Sequence, residues 1–88
     1  MPLYHFNIDG DQPCHDHEGH ELESLEAAKC EAIQMAGRII CDAAGAFWDR
    51  AEWSMTVTDD AGLTLLHLGI IGTEAPAVQW ESRRRTAT

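Results

Sequence analysis

Basic side chains are scarce in this 88-residue chain: six Lys and Arg stand against 15 Asp and Glu, for a formal net charge of −9 with histidine neutral. The shortage is uneven. Residues 1–81 hold all 15 acids and only Lys29, Arg38 and Arg50, a balance of −12, while Arg83, Arg84 and Arg85 near the end return +3. An acidic body excludes docking along a phosphate backbone, which needs a clustered basic face, so nucleic acid is not an expected partner. The terminal arginines could steer the tail onto an acidic surface, the chain's own body included; their plain reading is a solubilising end.

Long apolar runs are missing as well. No stretch approaches the ~18 apolar residues of a membrane span. Met1-Pro2-Leu3-Tyr4-His5 has no basic segment, and no apolar segment follows it as in a signal peptide. The expectation is a cytoplasmic protein with no membrane partner. Cysteines number three, and an odd count excludes a complete internal disulfide framework. Cys30 and Cys41 fall on one predicted helix, roughly 16 Å apart along its axis and too far to bridge. The length suits one domain at the small end of what folds without staples.

What is present is a clear alternation of elements. Tyr4, Phe6 and Ile8 point one way and Leu3, His5 and Asn7 the other, the period of a half-buried strand over residues 3–8. Residues 9–13, with Gly10 and Pro13, read as a loop, and 14–18 as a short strand pairing back. Ser24 is placed to cap a helix whose first turn carries Glu26. From Leu25, the residues Ala28, Ala32, Met35, Ala36, Ile39, Ile40, Ala43 and Phe47 make one apolar stripe bordered by Ile33. Lys29 falls inside the stripe, close enough to the helix start to snorkel outward. The helix is expected to end between residues 44 and 48, after about six turns.

Residues 52–58 alternate again, with Trp53, Met55 and Val57 inward. Asp59-Asp60-Ala61-Gly62 has the composition of a type I turn, and residues 63–71 return with Leu66, Leu68 and Ile70 inward. The fold class is therefore α+β: an antiparallel sheet of about four strands in β-β-α-β-β order with one long helix packed on one face. The open face would carry Leu3, His5, Asn7, Ser54, Thr56, Thr58, Leu65 and His67. Residues 1–71 form the domain, and 72–88 a tail that is flexible or docked on a partner subunit.

Three motifs now stand in order over residues 2–71: Pro2-x-Tyr4-x-Phe6 leading to Asp9-Gly10, Glu18-Gly19-x-Glu21-Leu22-x-x-Leu25-x-Ala27-Ala28, and Val57-Thr58-Asp59-x-x-Gly62. Together they resemble a family of small bacterial proteins of unknown function, common in soil and plant-associated species. The resemblance implies a compact α+β domain, bacterial and cytoplasmic, and brings no activity, cofactor or catalytic residue. Cys14, His15, His17, His20 and the stretch after Gly72 depart from the shared pattern, so a metal role would be peculiar to this chain.

Chemistry concentrates in Cys14-His15-Asp16-His17-Glu18-Gly19-His20. Thiolate and imidazole ligands suit zinc, nickel or copper. In an extended segment His15 and His17 share a face, and His5 and His67 could join it. Against this, no C-x-x-C pair is present and the spacing fits no standard zinc module. Cys14 and His15, as sequence neighbours, point to opposite sides of a strand and make a poor nucleophile–base pair. Asp9, Asp11, Asp16 and Glu18 miss the EF-hand spacing. No catalytic residue is assigned, and the chain is not expected to be an enzyme.

Association is the leading reading. Cys30, Gly37, Cys41 and Trp48 form a second ridge beside the core stripe on a continuous helix, and Trp80 is the one large side chain of the tail, able to fill a groove on a neighbouring copy. The chain thus reads as a small acidic, non-catalytic domain without a cofactor that acts by protein–protein contact, with itself as a homodimer or with another protein. The alternative is a metal-binding protein that takes a transition metal through Cys14, His15, His17 and His20.

Overall fold

The computed structural model describes residues 1–10 and 13–78. Four strands, β1 (Leu3–Ile8), β2 (His20–Glu21), β3 (Glu52–Asp59) and β4 (Thr64–Ile71), form a sheet in the order β2-β1-β3-β4. Every neighbouring pair is antiparallel. Two helices, α1 (Leu25–Asp42) and α2 (Ala44–Arg50), lie between β2 and β3 in the chain. This is the α+β architecture that the alternation predicts.

One face of the sheet and the first half of α1 make the core. Tyr4, Phe6, Met55 and Val57 are buried from the sheet, and Ala28 and Ala32 meet them from the helix. Alanine at this contact lets the helix backbone approach the sheet closely. Leu22, Met35, Trp53, Leu66 and Leu68 are partly buried around that centre. Ser24 caps α1 as expected, its Oγ accepting from the Ala27 amide at 3.2 Å. Lys29 turns outward to Glu26 at 3.1 Å.

The structure corrects three expectations. The second strand is His20–Glu21 and not residues 14–18. The reason is Asp16: its Oδ2 accepts the Phe6 amide at 3.2 Å, so a carboxylate stands where a strand carbonyl would. Only Cys14, bridged to Ile8, pairs by backbone. The helix does not run unbroken to residue 44 or beyond. It is interrupted at Ala43 (φ −127°, ψ 44°), and α2 starts afresh and ends on Ala51 at φ 61°. Ala43-Ala44-Gly45-Ala46 offers no large side chain to hold the original course. Beyond the interruption Phe47 and Trp48 pack over Gly72, where even a Cβ would fall 2.7 Å from the Trp48 ring. Finally, Leu65 leaves the open face: the β3–β4 register shifts at Val57/Thr58, and Leu65 packs toward the core as the extra residue.

The hairpin itself is as the turn residues demand. The Gly62 amide donates to the Asp59 carbonyl at 3.0 Å and the Asp59 amide to the Leu63 carbonyl at 2.9 Å. Gly62 sits at φ +88°, the left-handed position of a type I turn with a glycine bulge. Asp59 Oδ1 accepts from both the Ala61 and Leu63 amides at 2.9 Å.

Candidate functional site

Asp16 organises the segment in which the sequence concentrates its chemistry. Oδ1 accepts from the Gly19 amide at 3.0 Å, and Oδ2 from Phe6 and from His20 Nδ1 at 3.2 Å each. Its amide donates to Asn7 Oδ1 at 2.9 Å, and its carbonyl accepts from His5 Nδ1 at 2.7 Å. Partial burial works to raise the Asp16 carboxyl, but the Gly19 and Phe6 amides, together with His20, outweigh it and hold it below its ordinary 3.8. Gly19 makes the arrangement possible. It sits at φ +79°, and a Cβ there would lie 2.8 Å from Leu3 Cγ and 3.0 Å from His5 Cε1.

His5 joins a second carboxylate. Its Nε2 lies 3.1 Å from Asp60 Oδ1, so one ring touches β1's neighbouring loop and the β3–β4 turn at once. The hydrogen bond to the Asp16 carbonyl, then that to Asp60, raise His5 above its ordinary 6.5 against a smaller opposing effect of burial. Further along the open face, Thr56 Oγ1 donates to Asp9 Oδ2 at 2.9 Å and lies 3.3 Å from His67 Nδ1. Ser54 also donates to Asp9, at 3.4 Å. The face is thus polar and internally bonded.

The four candidate metal ligands are not drawn together. His20 is engaged with Asp16 and meets the edge of the Phe6 ring at 5.3 Å between centroids. His15 and His17 are exposed, with ring centroids 6.3 Å apart. Cys14 is exposed and free, as are Cys30 and Cys41. Among the described residues no group of three or more His, Cys, Asp and Glu is arranged to hold a metal ion. The acid in the middle of the segment is the organising group, and it does so by binding backbone amides.

The candidate association residues are also redistributed. Cys30, Gly37 and Cys41 are exposed. At about 100° per residue they lie roughly 140–180° around α1 from the buried Ala32, facing away from the sheet and not beside the core stripe. Gly37 and Cys41 border a shallow surface hollow with Ile33, Gln34 and Arg38. Trp48 does not continue the ridge, because the break at Ala43 carries it onto Gly72, where it remains 48% exposed. Trp80 lies outside the described residues.

A surface that the sequence reading passed over is the edge of β4. Among the described residues β4 pairs with β3 alone. Its eight residues, Thr-Leu-Leu-His-Leu-Gly-Ile-Ile, contain no Asp, Glu, Lys, Arg or Pro. The opposite edge, β2, is two residues long and carries Glu21. At the two ends of β4, Leu63 is 64% and Ile71 79% exposed. Beside its far end, Ile8, Trp53, Ile70 and Ile71 line an open groove of about 580 Å³ rimmed by Asp9, Arg50 and Glu52. The signal was available in the run of uncharged residues after Gly62, but which strand lies at an edge depends on the strand order.

A family described as Domain of unknown function (DUF6894) matches residues 3–70 of this chain. No curated protein and no solved structure matches it. Among the described residues no helix is long and apolar enough to cross a membrane.

Proposed function

The chain belongs to the DUF6894 family of domains of unknown function, and from that premise we propose that it is a non-catalytic association module that pairs with a second copy of itself along β4. The observation that carries the reading is the uncharged, eight-residue edge of that strand. An edge strand presents a row of unpaired amides and carbonyls. Proteins that remain single commonly blunt such an edge with Lys, Pro, inward charges or brevity. β2 is blunted by brevity and an acid, whereas β4 has no charge or proline along its length.

Charge favours the same place. Two copies of a chain at −9 repel wherever acids face one another, and β4 is the sheet edge without them. A two-fold axis through the middle of β4 runs the two copies of the strand antiparallel and sets the Ile71 end of one beside the Leu63 end of the other. The apolar ends of β4 then cover each other, the self-complementarity that an isologous dimer requires. Main-chain hydrogen bonds supply the pairing and these side chains the register.

The reading includes a bacterial, cytoplasmic setting and no cofactor. Sedimentation of the untagged chain tests it. The expected outcome is a dimer at micromolar concentration that Ile71→Lys or Leu63→Lys converts to a folded monomer. Both positions are exposed, so the fold tolerates the change. A wild-type monomer throughout, or a dimer indifferent to both substitutions, overturns the β4 mode.

A further inference from the structure

We propose that His5 is a pH-operated latch on the β3–β4 turn, closed when the ring is an imidazolium and opened toward Asp60 when it is neutral. The argument begins with counting donors. His5 Nδ1 faces the Asp16 carbonyl at 2.7 Å and Nε2 faces Asp60 Oδ1 at 3.1 Å. A carbonyl and an ionised carboxylate both only accept, and a neutral imidazole has a single N–H. The observed pair of contacts is complete only with both nitrogens protonated.

Which contact opens follows from exposure. The His5 side chain is 15% exposed and that of Asp60 73%. Released, the Asp60 carboxylate returns to water at little cost. The Asp16 carbonyl sits in a partly buried loop, bound at the shorter distance. Deprotonation at Nε2 therefore leaves the Nδ1–H bond in place and sets a ring lone pair against Asp60, which swings away. The other groups around the ring keep the same sense. The Asp16 carboxylate adds attraction for the cation while held by Phe6, Gly19 and His20. Asp59, at the start of the turn, is occupied by the Ala61 and Leu63 amides. Thr58, opposite His5 on β3, is uncharged.

The latch fixes the tip from which β4 departs, the end where Leu63 would meet Ile71 of a second copy. This part of the inference rests on the β4 reading above: association tightens as pH falls through the His5 titration. The direction of the His5 shift agrees with the geometry. Because the folded value is raised, the latch's contribution is complete below the ordinary 6.5 and is lost as pH rises through the folded value.

The test separates the two claims. In the monomeric Ile71→Lys variant, ring-nitrogen NMR of His5 should show both nitrogens protonated to above the ordinary 6.5 and a normal single tautomer beyond the titration. Asp60→Asn should move that titration down, and amide exchange at Ala61 and Leu63 should quicken as the ring deprotonates. A His5 that titrates at the ordinary value with and without Asp60→Asn overturns the latch. For the wild type, the dimer dissociation constant should rise several-fold across the same titration and lose that dependence in Asp60→Asn. A pH-independent constant beside a normally shifted ring overturns the coupling. A wild-type chain that never dimerises overturns the association reading and with it the coupling, while the ring titration still decides the latch.

Discussion

The Phe6 amide and the Asp16 carboxylate are joined at 3.2 Å, and that bond stands in place of a strand partner on the outer side of β1. Tyr4 pairs with His20 and Ile8 with Cys14, so the carboxylate fills the one gap between two backbone contacts. A side chain thereby finishes an edge that residues 14–18 leave unfinished. The same acid holds Gly19 and His20, which ties the start of β2 to the middle of β1.

Removing that carboxylate should be among the more costly changes in the loop. Asp16→Ala leaves two amides without their acceptor, and a partly buried donor so stranded costs about 1–3 kcal/mol. Asp16→Asn keeps one carbonyl oxygen and should lose less. Urea unfolding near neutral pH measures both. The acid limb gives a second readout. Since the folded Asp16 carboxyl is held below 3.8, its contribution is present above that pH and lost as pH falls through the folded value. The difference in stability between wild type and Asp16→Asn should shrink over that acid window. A difference that persists unchanged into acid would show that the charge of Asp16 contributes nothing.

Gly19 is the backbone counterpart of the same device. At φ +79° an L side chain is strained, and its Cβ would also press on Leu3 and His5. Gly19→Ala should destabilise by about 1–3 kcal/mol, the usual cost of a residue held in a sparsely populated region. The histidine titration of His5 should shift with it, because the methyl group meets that ring. Thermal unfolding and ring NMR check the two effects, and an unaltered His5 would mean that the loop moves off β1 instead of the ring.

Much of this was legible from the residues, and the misses share a cause. The Tyr4/Phe6 and Met55/Val57 alternation, the Ser24 cap and the Asp59–Gly62 turn are local signals, and each is where the pattern puts it. The role of Asp16 was not legible, because it acts on Phe6 ten residues away and through main chain. The histidines and cysteine around it drew attention as ligand types, yet proximity in sequence did not converge their side chains. The break at Ala43 was missed because Ala43 and Ala44 are themselves good helix formers, while the contact beyond it, Phe47 and Trp48 on Gly72, joins segments distant in the chain. The β4 edge needed the strand order, which pairing between distant segments decides.

The helix offers a control that separates two association surfaces. Gly37 lies inside α1 with open space around the position of a Cβ and no unusual backbone angle. Gly37→Ala should therefore stabilise the fold by roughly 0.5–1 kcal/mol, the ordinary gain from removing a glycine within a helix. Its effect on assembly discriminates. If copies meet through the outward ridge of Cys30, Gly37 and Cys41, the added methyl fills the contact and the dimer weakens even as the monomer gains stability. If they meet along β4, the dissociation constant stays where it was. Sedimentation of Gly37→Ala beside Ile71→Lys reads this directly: only the second variant should be monomeric, and the reverse result would move the interface from the sheet edge to the helix.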